Sequence, residues 1–170
     1  TMKAIKRYSG TAFKYLDYLN LDKIEMSYID ENVLIFSNLF GIILAGDCGI
    51  PDYKLKQNEK IGDFVVEKFY KESFQNTIDD FLKDDLIIDL RAVFYEKFYK
   101  INKAYISMKF MKDNKVISHY SKAYRGLILN TMAKNNIQSE NDLLAMKIDG
   151  LSILEVKENK LKKEIIYNIK

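Results

Sequence analysis

The chain has 170 residues, of which 48% are hydrophobic and 30% charged, with a net charge of +3. This composition supports a packed core and excludes a disordered chain, and we predict one domain over residues 1–170. Cys48 and His119 are the only cysteine and the only histidine, so an internal disulfide is excluded and a zinc site of His and Cys ligands is not expected. No apolar run approaches about eighteen residues, and we expect a cytoplasmic protein without a membrane span, metal or cofactor.

The first part of the chain is predicted to alternate between helices and short strands. Residues 3–19 show helical spacing of apolar residues, with a break at 9–11. Residues 23–29 alternate between apolar and polar positions, which predicts a strand, and 30–32 predict a turn. Residues 33–36 form a continuous apolar run, typical of a strand buried on both faces.

A glycine-rich stretch, Gly41 to Pro51, is predicted to be a loop, and such loops often position binding groups. Residues 59–82 predict one or two helices, with Phe64, Phe69 and Phe81 among the side chains expected to face inward. Each of these regions contributes to a mixed arrangement of helices and extended segments.

The second half predicts a further buried strand and several regular elements, including a hairpin around residues 112–114. A helix is expected from Tyr120 to about Ala133, and Ser139 is expected to cap a short helix to Met146. The elements are a strand at 86–90, a short helix at 92–99, a hairpin of 104–110 with 115–118, and a C-terminal hairpin of 151–156 with 164–169. We therefore predict an α+β (mixed α/β) fold with a mixed sheet flanked by helices.

The junction between the strand that ends at Ser118 and the following helix is a candidate anion site. Lys122 and Arg125 lie on one side of that helix together with Ser118, near a helix N-terminus that favours negative charge. Gly126 inside the helix costs about 1 kcal/mol relative to Ala, which indicates that something approaches the backbone there. Two other interpretations stay open: a solvated Lys and Arg face, and a glycine that lets two helices pack closely.

The positive charge is concentrated in one region of the chain. Residues 100–125 contain seven basic residues and one acid, so this segment carries +6 and the remainder of the chain carries −3. This asymmetry indicates a polyanionic partner, with nucleic acid the first candidate. A hairpin kept soluble by lysines is the alternative.

Catalytic motifs are absent from the sequence, since it has no P-loop, dinucleotide-binding glycine motif or nucleophile elbow. Asp47 and Asp89 are weak candidates for acid/base groups at strand ends, although Asp is also a common turn residue. A Cys48–His119 pair has no supporting pattern. Aromatic residues at 94–99 beside Lys97 suit either base stacking or a core.

Several motifs, in the same order and at comparable spacing, resemble the YaaA family of peroxide-stress resistance proteins. The strongest is S-H-Y-S-K-A-Y-R-G-L at 118–127, against a family pattern of S-F-Y-A-K-K-A-R-G-L. The others are Y-S-G-T-A-F at 8–13, S-N-L-F-G-I-I at 37–43, Y-K-L at 53–55, and I-D-L at 88–90 with Tyr95 and Lys97. The family's N-terminal S-P-A-K segment has no counterpart upstream of Tyr8, so we expect a fragment or a shortened relative.

The resemblance implies a cytosolic bacterial protein that protects against hydrogen peroxide and limits iron-dependent oxidative damage. It also implies non-specific DNA binding through a basic cleft in a mixed α/β fold. The residues expected to bind phosphate are Lys54, Lys97, Ser118, Tyr120, Lys122 and Arg125. We therefore hypothesise a DNA-binding stress protein without catalytic activity. The alternative is an enzyme acting on a nucleotide or nucleic-acid base in a pocket at the Gly41–Pro51 loop.

Overall fold

The computed structural model describes residues 1–113, 115–117 and 120–170 and has an α+β fold, as predicted. A five-stranded mixed sheet and a separate two-stranded sheet are accompanied by α-helices and two 3₁₀ helices, Tyr18–Asn20 and Val93–Lys97. The α-helices are α1 (Ala4–Arg7), α2 (Thr11–Leu16), α3 (Lys23–Asn32), α4 (Val66–Phe81), α5 (Ser121–Lys134) and α6 (Glu140–Ala145). The strands are β1 (Leu34–Ser37), β2 (Gly41–Leu44), β3 (Ile87–Asp89), β4 (Tyr105–Lys112), β5 (Lys115–Val116), β6 (Leu151–Asn159) and β7 (Lys162–Ile169).

The larger sheet has the strand order β3-β4-β7-β6, and β5 extends the end of β4 as an antiparallel partner. The β3–β4 and β4–β7 pairs are parallel, whereas β6 and β7 form an antiparallel hairpin. Along β4 every second side chain, Ile106, Met108 and Phe110, is buried, because successive side chains of a strand point to opposite faces. These residues pack with Ile128 of α5 and Leu143 of α6 in the first apolar cluster.

A second apolar cluster joins α1, α2, α3 and the β1–β2 hairpin through residues such as Leu16, Ile29 and Ile35. The predicted strand at 23–29 is wrong, because this segment lies in α3. Asp22 forms a capping box: its carboxylate accepts hydrogen bonds from the backbone N–H groups of Ile24 and Glu25, and the Glu25 side chain accepts one from the Asp22 N–H. The apolar residues at 24, 26 and 28 alternate over too short a stretch to outweigh that cap.

Helices α2 and α5 cross in close contact at Gly126. A Cβ atom at this position would lie 2.0 Å from the backbone oxygen of Ala12 and 3.0 Å from the backbone nitrogen of Leu16. The buried Asn130 side chain, one turn further along α5, donates a hydrogen bond of 2.8 Å to the backbone oxygen of Leu16. What approaches the glycine is therefore another helix, and this contact fixes the start of α5 against α2.

Other elements differ from prediction mainly in burial. β1 belongs to an isolated hairpin and β3 lies at a sheet edge, so neither strand is buried on both faces. The predicted glycine-rich loop begins as strand β2. Phe64, Phe69 and Phe81 are 44%, 41% and 60% exposed rather than inward. The hairpin of β4 with β5, helix α5, the Ser139-capped helix α6 and the C-terminal hairpin are confirmed. The expected hairpin turn includes Asn114, which lies outside the described residues.

Candidate functional site

A cavity of about 800 Å³ is lined by residues of both apolar clusters, and the first turns of α5 form part of its wall. Residues from α1, α2, α3, β1, β3 and the C-terminal end of α4 complete the lining. Most of the wall is apolar. The polar side chains on which a site depends include Tyr8, Asp89, Arg91, Lys122 and Arg125.

Arg125 is a half-buried cation on this wall. Burial lowers the pKa of its guanidinium, while the negative charges of Asp89 and Glu96 act in the opposite direction. An arginine nevertheless remains protonated in a protein. Arg125 lines the cavity and donates no hydrogen bond to any other described residue. Such a group is suited to bind an anion.

Lys122 lies one turn before Arg125 and is exposed at the same cavity wall. It belongs to the first turn of a 14-residue helix, where the helix dipole adds to its positive charge. Tyr120, which was predicted to bind phosphate, is the N-cap residue of α5 and is 64% exposed. Ser118, the third member of the predicted phosphate site, lies outside the described residues. The structure therefore brings Lys122 and Arg125 together at the beginning of α5.

Asp89 and Arg91 form an ion pair that also lines the cavity. The Arg91 guanidinium donates 2.8 and 2.9 Å hydrogen bonds to Asp89 Oδ1 and Oδ2, and the two side chains are only 11% and 12% exposed, Arg91 and Asp89 respectively. The guanidinium also lies 4.8 Å from the Phe36 ring centre and donates to the backbone oxygen of Tyr99. Both oxygens of the proposed acid/base residue Asp89 are thus engaged. Sequence analysis missed Arg91.

A cluster of hydroxyl groups lies where the motifs at residues 8–13, 37–43 and 53–55 meet. The Tyr53 hydroxyl is 3.0 Å from that of Tyr8 and 2.6 Å from that of Ser37. The Ser37 hydroxyl oxygen also accepts hydrogen bonds from the backbone N–H groups of Leu39 and Phe40. Burial raises the pKa of Tyr8 far above its usual value, so this phenol stays neutral and acts as a hydrogen-bonding group.

The remaining predicted cations do not join Lys122 and Arg125 in the cavity. Lys97 is exposed, with its Nζ 3.5 Å from the side-chain oxygen of Asn58, and it lines a separate groove along α4. Lys54 is exposed and lines neither that groove nor the cavity. The four cations thus do not form one continuous track in the described part of the chain.

Asp47, the other acid/base candidate, serves a turn. Its carboxylate accepts a 2.8 Å hydrogen bond from the backbone N–H of Leu44, and the residue is exposed and lies outside the cavity lining. Cys48 is exposed, and His119 lies outside the described residues. Over residues 1–113, 115–117 and 120–170, no group of three or more His, Cys, Asp and Glu side chains is placed to hold a metal ion. No helix in those ranges is long and apolar enough to cross a lipid bilayer.

Comparison with known proteins gives a family match over most of the chain. The family model described as "Peroxide stress protein YaaA" matches residues 1–157. An uncharacterized protein of Campylobacter jejuni is 48% identical over 169 residues, which is 99% of this chain and 68% of the relative. UPF0246 proteins of Fusobacterium nucleatum and Corynebacterium glutamicum are 31% and 32% identical, over 88% and 98% of this chain and 62% and 69% of their own lengths. The chain spans about two thirds of the length of these relatives.

Proposed function

This chain belongs to the YaaA family of peroxide stress proteins, and from that premise we propose that it serves the response to hydrogen peroxide by binding DNA without sequence preference. In this proposal Lys122 and Arg125, at the start of α5, bind the phosphate groups. In this role the protein covers DNA and so limits iron-dependent oxidative damage.

The observation that carries the proposal is the half-buried Arg125 guanidinium, which has no hydrogen-bond acceptor among the described residues. A guanidinium presents several N–H donors in a planar fork that matches two oxygens of a phosphate. Lys122 adds a second positive charge one helical turn away, at a helix end that already favours anions. A phosphate bound here satisfies groups that the protein leaves open.

The lysines of the β4–β5 hairpin support the same partner. Lys112 and Lys115 are both exposed and are directly opposite each other in the antiparallel pair. Like charges in such a cross-strand position repel each other and destabilise the pair. A polyanion removes that repulsion, and backbone phosphates bound by Lys and Arg give binding that does not depend on sequence.

A salt series with a fluorescent DNA duplex tests this function. The variant Lys122→Gln/Arg125→Gln keeps much of the aliphatic packing and removes two charges, and Lys134→Gln/Lys147→Gln removes two charges at exposed positions elsewhere. We expect micromolar or tighter binding at low salt. Because each phosphate contact contributes about 0.9 to the slope of log K against log salt, the first variant should reduce that slope by about 2.

The control variant decides whether α5 itself is the phosphate site. Binding that both double variants weaken equally would mean that only net charge matters. The absence of binding at low salt in the unsubstituted chain would refute the proposal. Circular dichroism of each variant shows that the fold is retained, so a loss of binding is attributable to the removed charges.

A second candidate function is that of an enzyme that binds a nucleotide in the cavity and acts on it. The observation that favours this function is the position of Asp89. This largely buried carboxylate interacts electrostatically with Arg125, and both residues line the cavity. The site would differ from the predicted pocket, because Leu44 alone represents the Gly41–Pro51 stretch in the lining. Titration with nucleoside mono- and triphosphates, followed by thermal unfolding, tests it. Stabilisation that Arg125→Gln removes, without any DNA binding, would make this the function.

A further inference from the structure

The central cavity is large and partly open to solvent. Folded proteins are packed like organic crystals, and voids larger than a water molecule are few. Here a cavity of about 800 Å³ is lined by side chains of both apolar clusters, which meet at Tyr28. The walls include the apolar side chains of Leu34, Ile35, Ile88 and Leu129. A large apolar ligand or polypeptide segment is suited to fill this cavity.

Two strands that each have an unpaired edge contribute residues to the cavity wall. In the described residues β3 is hydrogen-bonded only to β4, and β1 only to β2, so each strand has one unpaired edge. Residues of both strands line the cavity. Unpaired N–H and C=O groups along a strand edge are a template for pairing with another extended segment, and leaving them buried without partners is unfavourable. A small molecule satisfies the apolar walls but not these edges.

Large apolar side chains at the rim are also left uncovered. Phe81 at the end of α4 and Leu86 just before β3 both line the cavity and are 60% and 43% exposed. Exposed apolar side chains at the rim of a groove are a feature of surfaces that bind a partner or a ligand. The β1–β2 hairpin adds to this, because a two-stranded sheet is marginal without a further strand or a packing partner.

The relatives supply a candidate for the polypeptide that fills the cavity. The Campylobacter jejuni protein matches 99% of this chain yet only 68% of its own length, so about a third of it has no counterpart in these 170 residues. We propose that the cavity is the binding site of an extended apolar segment that belongs to that unmatched third. The segment pairs with the edge of β3, the edge of β1 or both, and its apolar side chains pack against both apolar clusters. This inference does not depend on the proposed function.

Adding the segment to the chain tests the proposal. The unmatched third of the Campylobacter jejuni relative is produced as a separate polypeptide and titrated into this chain, and hydrogen exchange is followed by mass spectrometry. At a hundredfold excess over Kd, binding should slow exchange through local opening about 100-fold. The slowing is expected at Leu34–Ser37 and Ile87–Asp89. Protection confined to other regions, or no complex, would overturn the proposal.

A matched pair of leucine variants locates the contact. Leu86→Asp places a charge at the rim of the cavity, whereas Leu154→Asp places one on β6, which is exposed to a similar degree and lies outside the cavity lining. We expect the first variant to lose the complex and the second to retain it. If both variants bind the segment equally well, the proposal that the segment binds in this cavity is refuted.

The intact Campylobacter jejuni relative provides a readout that does not require the separate polypeptide to be soluble. Its amides that correspond to β1 and β3 should exchange at least tenfold more slowly than those of this chain alone, because they are then paired. Equal exchange rates would also refute the proposal.

Discussion

Gly126→Ala tests the close contact that fixes α5 against α2. The new Cβ atom would lie 2.0 Å from the Ala12 backbone oxygen, and 2.9 Å from the carbonyl carbon of the same residue. Both atoms belong to the backbone, so α2 has to move by about 1 Å or more to restore an ordinary contact distance of about 3.5 Å. Overpacking of this kind costs about 1–3 kcal/mol, and a backbone obstacle places the cost at the upper end of that range.

Helix propensity offsets part of this cost, because Ala is about 1 kcal/mol more favourable than Gly inside a helix. The net expectation is a loss of about 2 kcal/mol in the free energy of unfolding, measured by urea denaturation. For a chain of this size it corresponds to a fall in Tm of roughly 4–8 °C. Gly10→Ala is the control, because its Cβ would meet nothing nearer than 3.9 Å. A Gly126→Ala variant as stable as the parent would refute the packing argument.

Three further changes test other parts of the structure by chemical denaturation. Asp22→Ala removes the capping box of α3 and should destabilise the protein by about 1 kcal/mol; no change would contradict the helix assignment. Asp89→Asn leaves the buried Arg91 unpaired and should cost about 3 kcal/mol, whereas Asp89→Leu/Arg91→Met should cost less; the reverse order would contradict the ion-pair argument. The Tyr167 hydroxyl is buried without a hydrogen-bond partner among the described residues, so Tyr167→Phe should stabilise by about 1 kcal/mol. Burial raises the pKa of Tyr167 to about 12, while an unfolded tyrosine titrates near about 10. The unfolded state therefore loses its proton first, and stability should fall above pH 10 by up to about 1.4 kcal/mol per pH unit, an alkaline loss that Tyr167→Phe reduces.

Local signals decided how well each element was predicted. The C-terminal half was predictable because β4 alternates regularly, α5 repeats its apolar residues at helical spacing, and Ser139 caps α6. Helix α3 was missed although its deciding signal, Asp22 followed three residues later by Glu25, is present in the sequence. A cap of this type outweighs an apolar alternation of only three residues.

The candidate site was predictable only in part. Lys122 and Arg125 follow from helical spacing and were placed together, since neighbours on one helix are fixed by local geometry. Arg91 was not foreseeable in the same way, because its environment is tertiary. It depends on Asp89 at a strand end, Phe36 of the other sheet and the backbone of Tyr99 meeting at one point. No spacing within the sequence indicates that these three groups surround Arg91.

The proposed anion site and the proposed binding site of the segment both lie along the cavity. The two proposals therefore predict that the segment changes the affinity of the chain for DNA. A segment seated beside Arg125 removes water from its surroundings, and charges interact more strongly where the effective dielectric constant is lower. The affinity of this chain for duplex DNA should therefore rise several-fold when the segment is supplied, while the salt slope, which counts phosphate contacts, stays the same. A fall in affinity would mean that segment and phosphate compete for the same face of α5. The phosphate site would then have to lie elsewhere, with the β4–β5 lysines as the next candidates.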